Sequence, residues 1–474
     1  MDTIDFVSAL WRHAGLPPQA LQDLKLTGQE AVLPSSFAVS KAAQASVALA
    51  AMGAAHYWHL RTGRHQQVTV DRRHAAIECR SDHYLAIDGQ PLNYSDPLTG
   101  LYRCGEGGWV RIHANFAHHR EGALALLRSA PSRDAITAAL RAERALEFEA
   151  KAAALGLPIV ALRSFEEWDR HPQALAIEAL PTLGINRIDD APPMLSRSPA
   201  GGGSPEHATG PITTALGGVR TLELTRVLAG PVCGRTLAAY GAEVLLVNAP
   251  HLPNIEALAD TSRGKLSAHL DLRQEADCAT MRQLLQTADV FIQGYRPDAI
   301  ARFGFGPQAL AREHPGIVCV SLSAWGPAGP WRLRRGFDSL VQTASGFNVA
   351  EALATGSEQP KPLPTQILDH ASGYLMAFGI AAALARRATE GGSWHVEVSL
   401  AQTARWLRSM GRTRGDLRVP DPGRDDVTDL LHTTPSGFGS LTAVRHSASL
   451  SQTPARWLRP SVPPGTHAPA WPPV

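Results

Sequence analysis

The stretch "PLPTQILDHASGYLMAFGIAAALARRATEGG", residues 362 to 392, holds one carboxylate, Asp369, ahead of Glu390. An apolar run of Ala, Gly, Leu, Met and Phe separates the two acids. His370 is the only near neighbour that can carry charge, and no Lys or Arg follows before Arg386. Two prolines keep the approach extended and out of the helix. One reading makes Asp369 a helix N-cap, accepting first-turn amides and facing the positive helix end. Another makes it a nucleophile at a loop–helix junction, able to carry a group covalently. One side chain can serve both purposes.

Basic residues fall around other strand exits: Arg263, Lys265, Arg273, Arg296, Arg302, Arg332, Arg334 and Arg335. Singly, each reads as a solvated surface charge. Converging on one cleft, they would suit a phosphorylated ligand, because guanidinium and phosphate pair in bidentate fashion. "LTRVLAGPVCGRT" places Gly230 and Gly234 at a strand-to-helix turn with Pro231 at the helix start. Its spacing, G-P-x-x-G, departs from the dinucleotide fingerprint, and Asn248 stands where a ribose-binding acid is expected. A nicotinamide oxidoreductase is therefore disfavoured. The five cysteines are scattered with no CxxC pair, which indicates neither a metal site nor a disulfide framework. "AGGGS" has no strand leading in and no helix following directly, which disfavours a phosphate cradle.

The 474 residues are enough for two or three domains. Charged residues make up 19% and net charge is +2, without a block of like charge, so a nucleic-acid partner gains no support. The N-terminus lacks a signal pattern and no apolar run reaches about 20 residues, so a cytoplasmic protein without a membrane span is expected. Residues 1–190 read as a small α+β region, with a helix at "ASVALAAMGAAHYWHLRTG" and a hairpin at "GLYRCGEGGWVRIHANF". Residues 191–216 are a Pro/Gly/Ser-rich linker. From 217 to 410, short apolar strands alternate with amphipathic helices, which predicts an α/β fold with a doubly wound, Rossmann-like parallel sheet. Residues 411–474 form a Pro-rich tail that packs on the surface. A faint internal echo links "AAMGAAHYWHLRTGRHQQVTVDRRHA" to "MAFGIAAALARRATEGGSWHVEVSLAQTA", with Ser40, Lys41 and Ala43 near the place of Asp369.

Six blocks then run in register: "LELTRVLAGPVCGRTLAAYGAEVLLV", "SRGKLSAHLDLR", "ADVFIQGYRPDAIARFGF", "GIVCVSLSAWGPAGPW", "RRGFDSLVQTASGF" and "LDHASGYLMAFGIAAALARR". Together they resemble family III CoA-transferases, the formyl-CoA and carnitine-CoA transferase relatives also called CaiB/BaiF. The first half is similar to the family's later part, so the family segments stand in rearranged order. The resemblance implies that Asp369 attacks an acyl-CoA thioester to form a mixed anhydride, then an aspartyl-CoA thioester that an acceptor carboxylate resolves. It implies CoA contacts at Val227, Leu228, Ala229, Leu270, Leu272, Arg273, Gly294, Tyr295, Arg296, Arg302 and Arg335. Coenzyme A enters as substrate, with no resident cofactor or metal, and family members form interlocked homodimers. Departures are Gly294 in place of an Asn, Asn248 in place of an acid, and no equivalent of the Gly-rich lid. Alternatives are a CoA-binding protein without turnover and an α-methylacyl-CoA racemase-like enzyme. Against the latter, Phe337 stands where that branch has a proton-carrying His.

Overall fold

A computed structural model describes residues 2–28, 30–92, 95–196, 212–413 and 415–472. Most of the expected linker, residues 197–211, lies outside them. The centre is a seven-stranded sheet of β1 (Leu183–Asp189), β2 (Arg220–Leu224), β3 (Glu243–Asn248), β4 (Leu266–His269), β5 (Val290–Gln293), β6 (Val318–Ser323) and β7 (Ser393–Ser399). Its spatial order is β4-β3-β2-β5-β6-β7-β1. Every neighbouring pair is parallel except β7 with β1, where Val396 faces Ile185 in antiparallel register. The fold is thus mixed α/β around parallel strands.

The strands read as continuous apolar runs because both faces are covered. On β5, Val290 and Ile292 join one core cluster while Phe291 joins the other, as a two-residue period requires. The larger cluster takes residues from Phe6 to Leu450, so packing ignores the boundary near residue 200. The first half also supplies β1 itself. Beyond residue 411, two strands (Leu431–Ser436 and Gly439–Val444) form a hairpin that pairs with Ala86–Ile87. Two indole N–H groups fasten the remaining tail: Trp457 donates to the Arg235 carbonyl at 2.9 Å and Trp471 to the Leu284 carbonyl at 3.0 Å.

Four helices matter for the site: α1 (Val39–Thr62), α2 (Ala229–Ala239), α3 (Asp338–Ala344) and α4 (Ile367–Glu390). Helix α4 is long and apolar enough to cross a membrane, yet its apolar window is wholly buried inside the fold. Close approach explains its small residues. A Cβ on Gly373 would lie 2.6 Å from the Ala229 carbonyl oxygen of α2, and one on Gly53 of α1 would lie 3.0 Å from Ala381 Cβ.

The internal echo has a structural counterpart. Helices α1 and α4 are both 24 residues long and both end at a positive-φ glycine, Gly63 and Gly391. A strand follows each, Val68–Asp71 and β7. Each of these strands has one parallel and one antiparallel neighbour: Leu24–Thr27 and Ala448–Leu450 for the first, β6 and β1 for the second. Counted from the helix starts, Lys41 is the third residue of α1 and Asp369 the third of α4.

Candidate active site

Asp369 is not the cap of its helix. Gln366 occupies that position without a side-chain capping bond, and Asp369 sits in the first turn. The approach "PLPTQ" stays out of the helix because Gln342 grips it: its Oε1 accepts the Leu363 amide at 2.9 Å and its Nε2 reaches the Thr365 carbonyl at 3.4 Å. The same Nε2 donates to Asp338 Oδ1 at 2.5 Å. Asp338, the first residue of α3, accepts the Asp369 amide on Oδ2 at 2.9 Å. A third acid comes from the first half: Asp82 Oδ1 lies 3.5 Å from His370 Nε2, and both side chains are buried.

Three acids in a dry pocket disfavour one another's charge. Burial first, then the charges of Asp338 and Asp82, hold Asp369 well above the ordinary carboxylate range. Asp338 is pushed up to about 6, mainly by burial, against the hydrogen bonds it accepts. Asp369 nevertheless keeps 8% of its surface exposed.

Beside this pair, a cavity of about 430 Å³ opens beyond the carboxyl ends of β2, β3, β4 and β5. Ligands of open α/β sheets sit in that place. Of the expected CoA contacts, Val227, Leu270, Leu272, Arg273, Gly294, Tyr295, Arg296, Arg302 and Arg335 line it. Leu228 and Ala229 do not, and are buried in the core at the start of α2. Asp369 is not in the lining either. Phe337, which lines it, directly precedes Asp338, the acid that accepts the Asp369 amide. Val227 adopts φ 73° at the rim, a costly conformation for a β-branched residue, of the kind concentrated at binding sites.

The basic residues separate into two groups. Arg226, Arg273, Arg296, Arg302, Arg332, Arg334 and Arg335 line the cavity. Asp271 takes Arg273 at 2.6 Å and Asp298 takes Arg332 at 2.8 Å. Arg263 and Lys265 are elsewhere, buried against Asp260 and Glu223. Lys265 Nζ lies 2.7 Å from Glu223 Oε2 and donates to the Pro231 carbonyl at 2.9 Å. These two cations hold the fold rather than a ligand.

Sequence reasoning named none of the residues that the first half contributes. Phe116, His118 and His119, just after the hairpin strand Trp109–Ile112, complete the cavity wall. His113 stacks flat on Phe337, with ring centroids 3.7 Å apart and planes 3° from parallel. The only signal was the run of histidines in "RIHANFAHHR".

An arginine-lined cavity beyond a parallel sheet, backed by a basic carboxylate, can hold a polyphosphate and present an acid to its far end. The model of CoA-transferase family III matches residues 216–427. That segment is similar to the family. An acetyl-coenzyme A transferase of Hypoxylon pulicicidum is 34% identical over 44% of this chain and 36% of its own. A probable fatty acyl-CoA transferase of Mycobacterium tuberculosis is 32% identical over 44% of this chain and 57% of its own. The succinate–glutarate CoA-transferase of Agrobacterium fabrum is 33% identical over 39% and 50%. The chain therefore spans about a third to just over half of the length of these relatives.

Proposed function

We propose that the protein transfers coenzyme A between an acyl-CoA and a carboxylic acid, with Asp369 as the nucleophile. One observation carries this reading: Asp369 is a nearly dry, charge-disfavoured carboxylate at the start of a buried helix, bonded through its amide to Asp338, whose neighbour Phe337 lines an arginine-rich cavity. The strand order β4-β3-β2-β5-β6-β7, parallel with both faces covered, supports a doubly wound sheet and a CoA-binding unit over residues 217–410.

The steps balance without an external acid or base. An Asp369 carboxylate oxygen attacks the thioester carbonyl, the C–S bond breaks, and CoA leaves as thiolate, giving an acyl–aspartyl anhydride. The thiolate then attacks the Asp369 side-chain carbonyl and releases the first acid as carboxylate. The resulting aspartyl-CoA thioester is attacked by the acceptor carboxylate, forming a second anhydride and thiolate. Attack of that thiolate on the acceptor carbonyl yields the new acyl-CoA and frees Asp369. Splitting the exchange into covalent steps preserves the thioester's free energy. Burial of α4 and of the Asp338–Asp369 pair keeps water from the anhydride.

Intact mass spectrometry after incubation with an acyl-CoA panel tests this. An acyl or CoA adduct that maps to Asp369 is expected. An adduct on another residue, or unmodified protein under conditions where CoA transfer proceeds, refutes the assignment.

A further inference from the structure

His119 lines the cavity from the first turn of the helix Ala117–Leu127 and is only 4% exposed. Among the described residues, neither of its ring nitrogens meets a hydrogen-bond partner. Buried polar atoms are nearly always satisfied, so a bare imidazole at a cavity wall calls for a ligand. Its neighbours narrow the choice. Phe116 and Phe337 meet its ring edge-on at 5.6 and 6.0 Å, and His118 is tilted at 4.1 Å. Arg226 lies over the Phe116 ring at 5.1 Å, and its Nε also lacks a partner among the described residues.

Burial, with His118, Arg335 and Arg226 nearby, pushes His119 down to about 3, so the ring is uncharged and has one N–H to donate. The groups acting on it are His118 and the guanidiniums of Arg335 and Arg226. A neutral donor between guanidiniums is arranged for an anion. The arginines nearer Leu270–Arg273 and Arg302 offer places for the phosphates of CoA. The His119 end instead adjoins Phe337, the residue before Asp338, and so is the end of the cavity nearer in sequence to the acid that holds Asp369.

We propose that His119, together with Arg226, recognises the carboxylate of the acid that accepts CoA. The inference rests on the CoA-transfer reading and deepens it. It gives the first half of the chain a role in choosing the substrate, since His119 comes from there.

Calorimetric titration tests it without turnover, so the outcome is separate from the adduct experiment. The probes are formate, propionate, succinate and benzoate, with inorganic pyrophosphate as the phosphate control. For the acid that the wild type binds best, His119→Ala is expected to weaken binding about tenfold or more. Pyrophosphate affinity should move less than twofold. His119→Gln, which keeps an N–H donor, should recover part of the loss. Three results overturn the proposal: a wild type that binds none of the acids, a His119→Ala variant that binds the acid unchanged, or an equal loss for acid and pyrophosphate. The last result would assign the anion site to a CoA phosphate.

Discussion

The Asp369 amide donates to Asp338 Oδ2 at 2.9 Å, so the candidate nucleophile hangs from a second acid by its own backbone. Both carboxyls are buried, and the charge of Asp338 makes that of Asp369 costlier. The arrangement raises the basicity of Asp369 and fixes the helix turn that presents it. It also makes ionisation of the pair a condition for attack.

Asp369→Ala and Asp369→Asn are expected to abolish CoA transfer while leaving CoA affinity within a few-fold. Asn keeps the shape and the backbone hydrogen bond to Asp338, so its loss of turnover would be chemical rather than structural. Transfer at full rate by Asp369→Asn would remove Asp369 from the mechanism.

The rate of transfer should rise with pH through the elevated titration of the Asp338–Asp369 pair, because only the ionised carboxylate attacks. Asp338→Asn removes a neighbouring negative charge, which eases ionisation of Asp369. The rising limb should therefore move to lower pH. A limb that stays in place in the variant would show that Asp338 does not act on Asp369.

The same pair makes a prediction about stability. Asp338 has a folded pKa of about 6, above its ordinary value of 3.8, so the folded state holds the proton more tightly and stability falls as pH rises between those values. Asp338→Asn abolishes that loss, by at most about 3 kcal/mol. Urea unfolding should show the variant gaining on the wild type from pH 4 to pH 7. A pH-independent difference would contradict the coupling.

Glu223 of β2 and Lys265, the residue before β4, form a fully buried ion pair. Lys265→Met should cost about 3–5 kcal/mol in urea unfolding, because it leaves Glu223 buried without its cation. Adding Glu223→Gln should return much of that. A loss below about 1 kcal/mol for the single variant would mean the pair is not held as the structure places it.

In deuterated water, a 2-methylacyl-CoA should gain no deuterium at its α-carbon. Phe337 carries no proton, and His113 stacked upon it is pushed down to about 3 by burial, too weak a base for that step. Exchange at a rate matching turnover would favour a racemase-like enzyme instead.

Asp369, the alternating strands of residues 217–410 and the linked arginines of the strand exits were legible because each is a local pattern. A lone acid before an apolar run, a two-residue period and a turn spacing are all written in neighbouring positions. The Asp369 cap was misjudged by three residues, since Gln342, distant in sequence, sets where the helix begins. Which arginines face a ligand was also undecidable locally. Arg263 and Lys265 look like Arg296 in sequence, and only their buried acids tell them apart. The structure alone joins Asp82, Phe116 and His119 to a site written 250 or more residues later. It does so because α1 packs closely against α4, where Gly53 meets Phe378 and Ala381, and that packing holds the first half of the chain against the sheet domain.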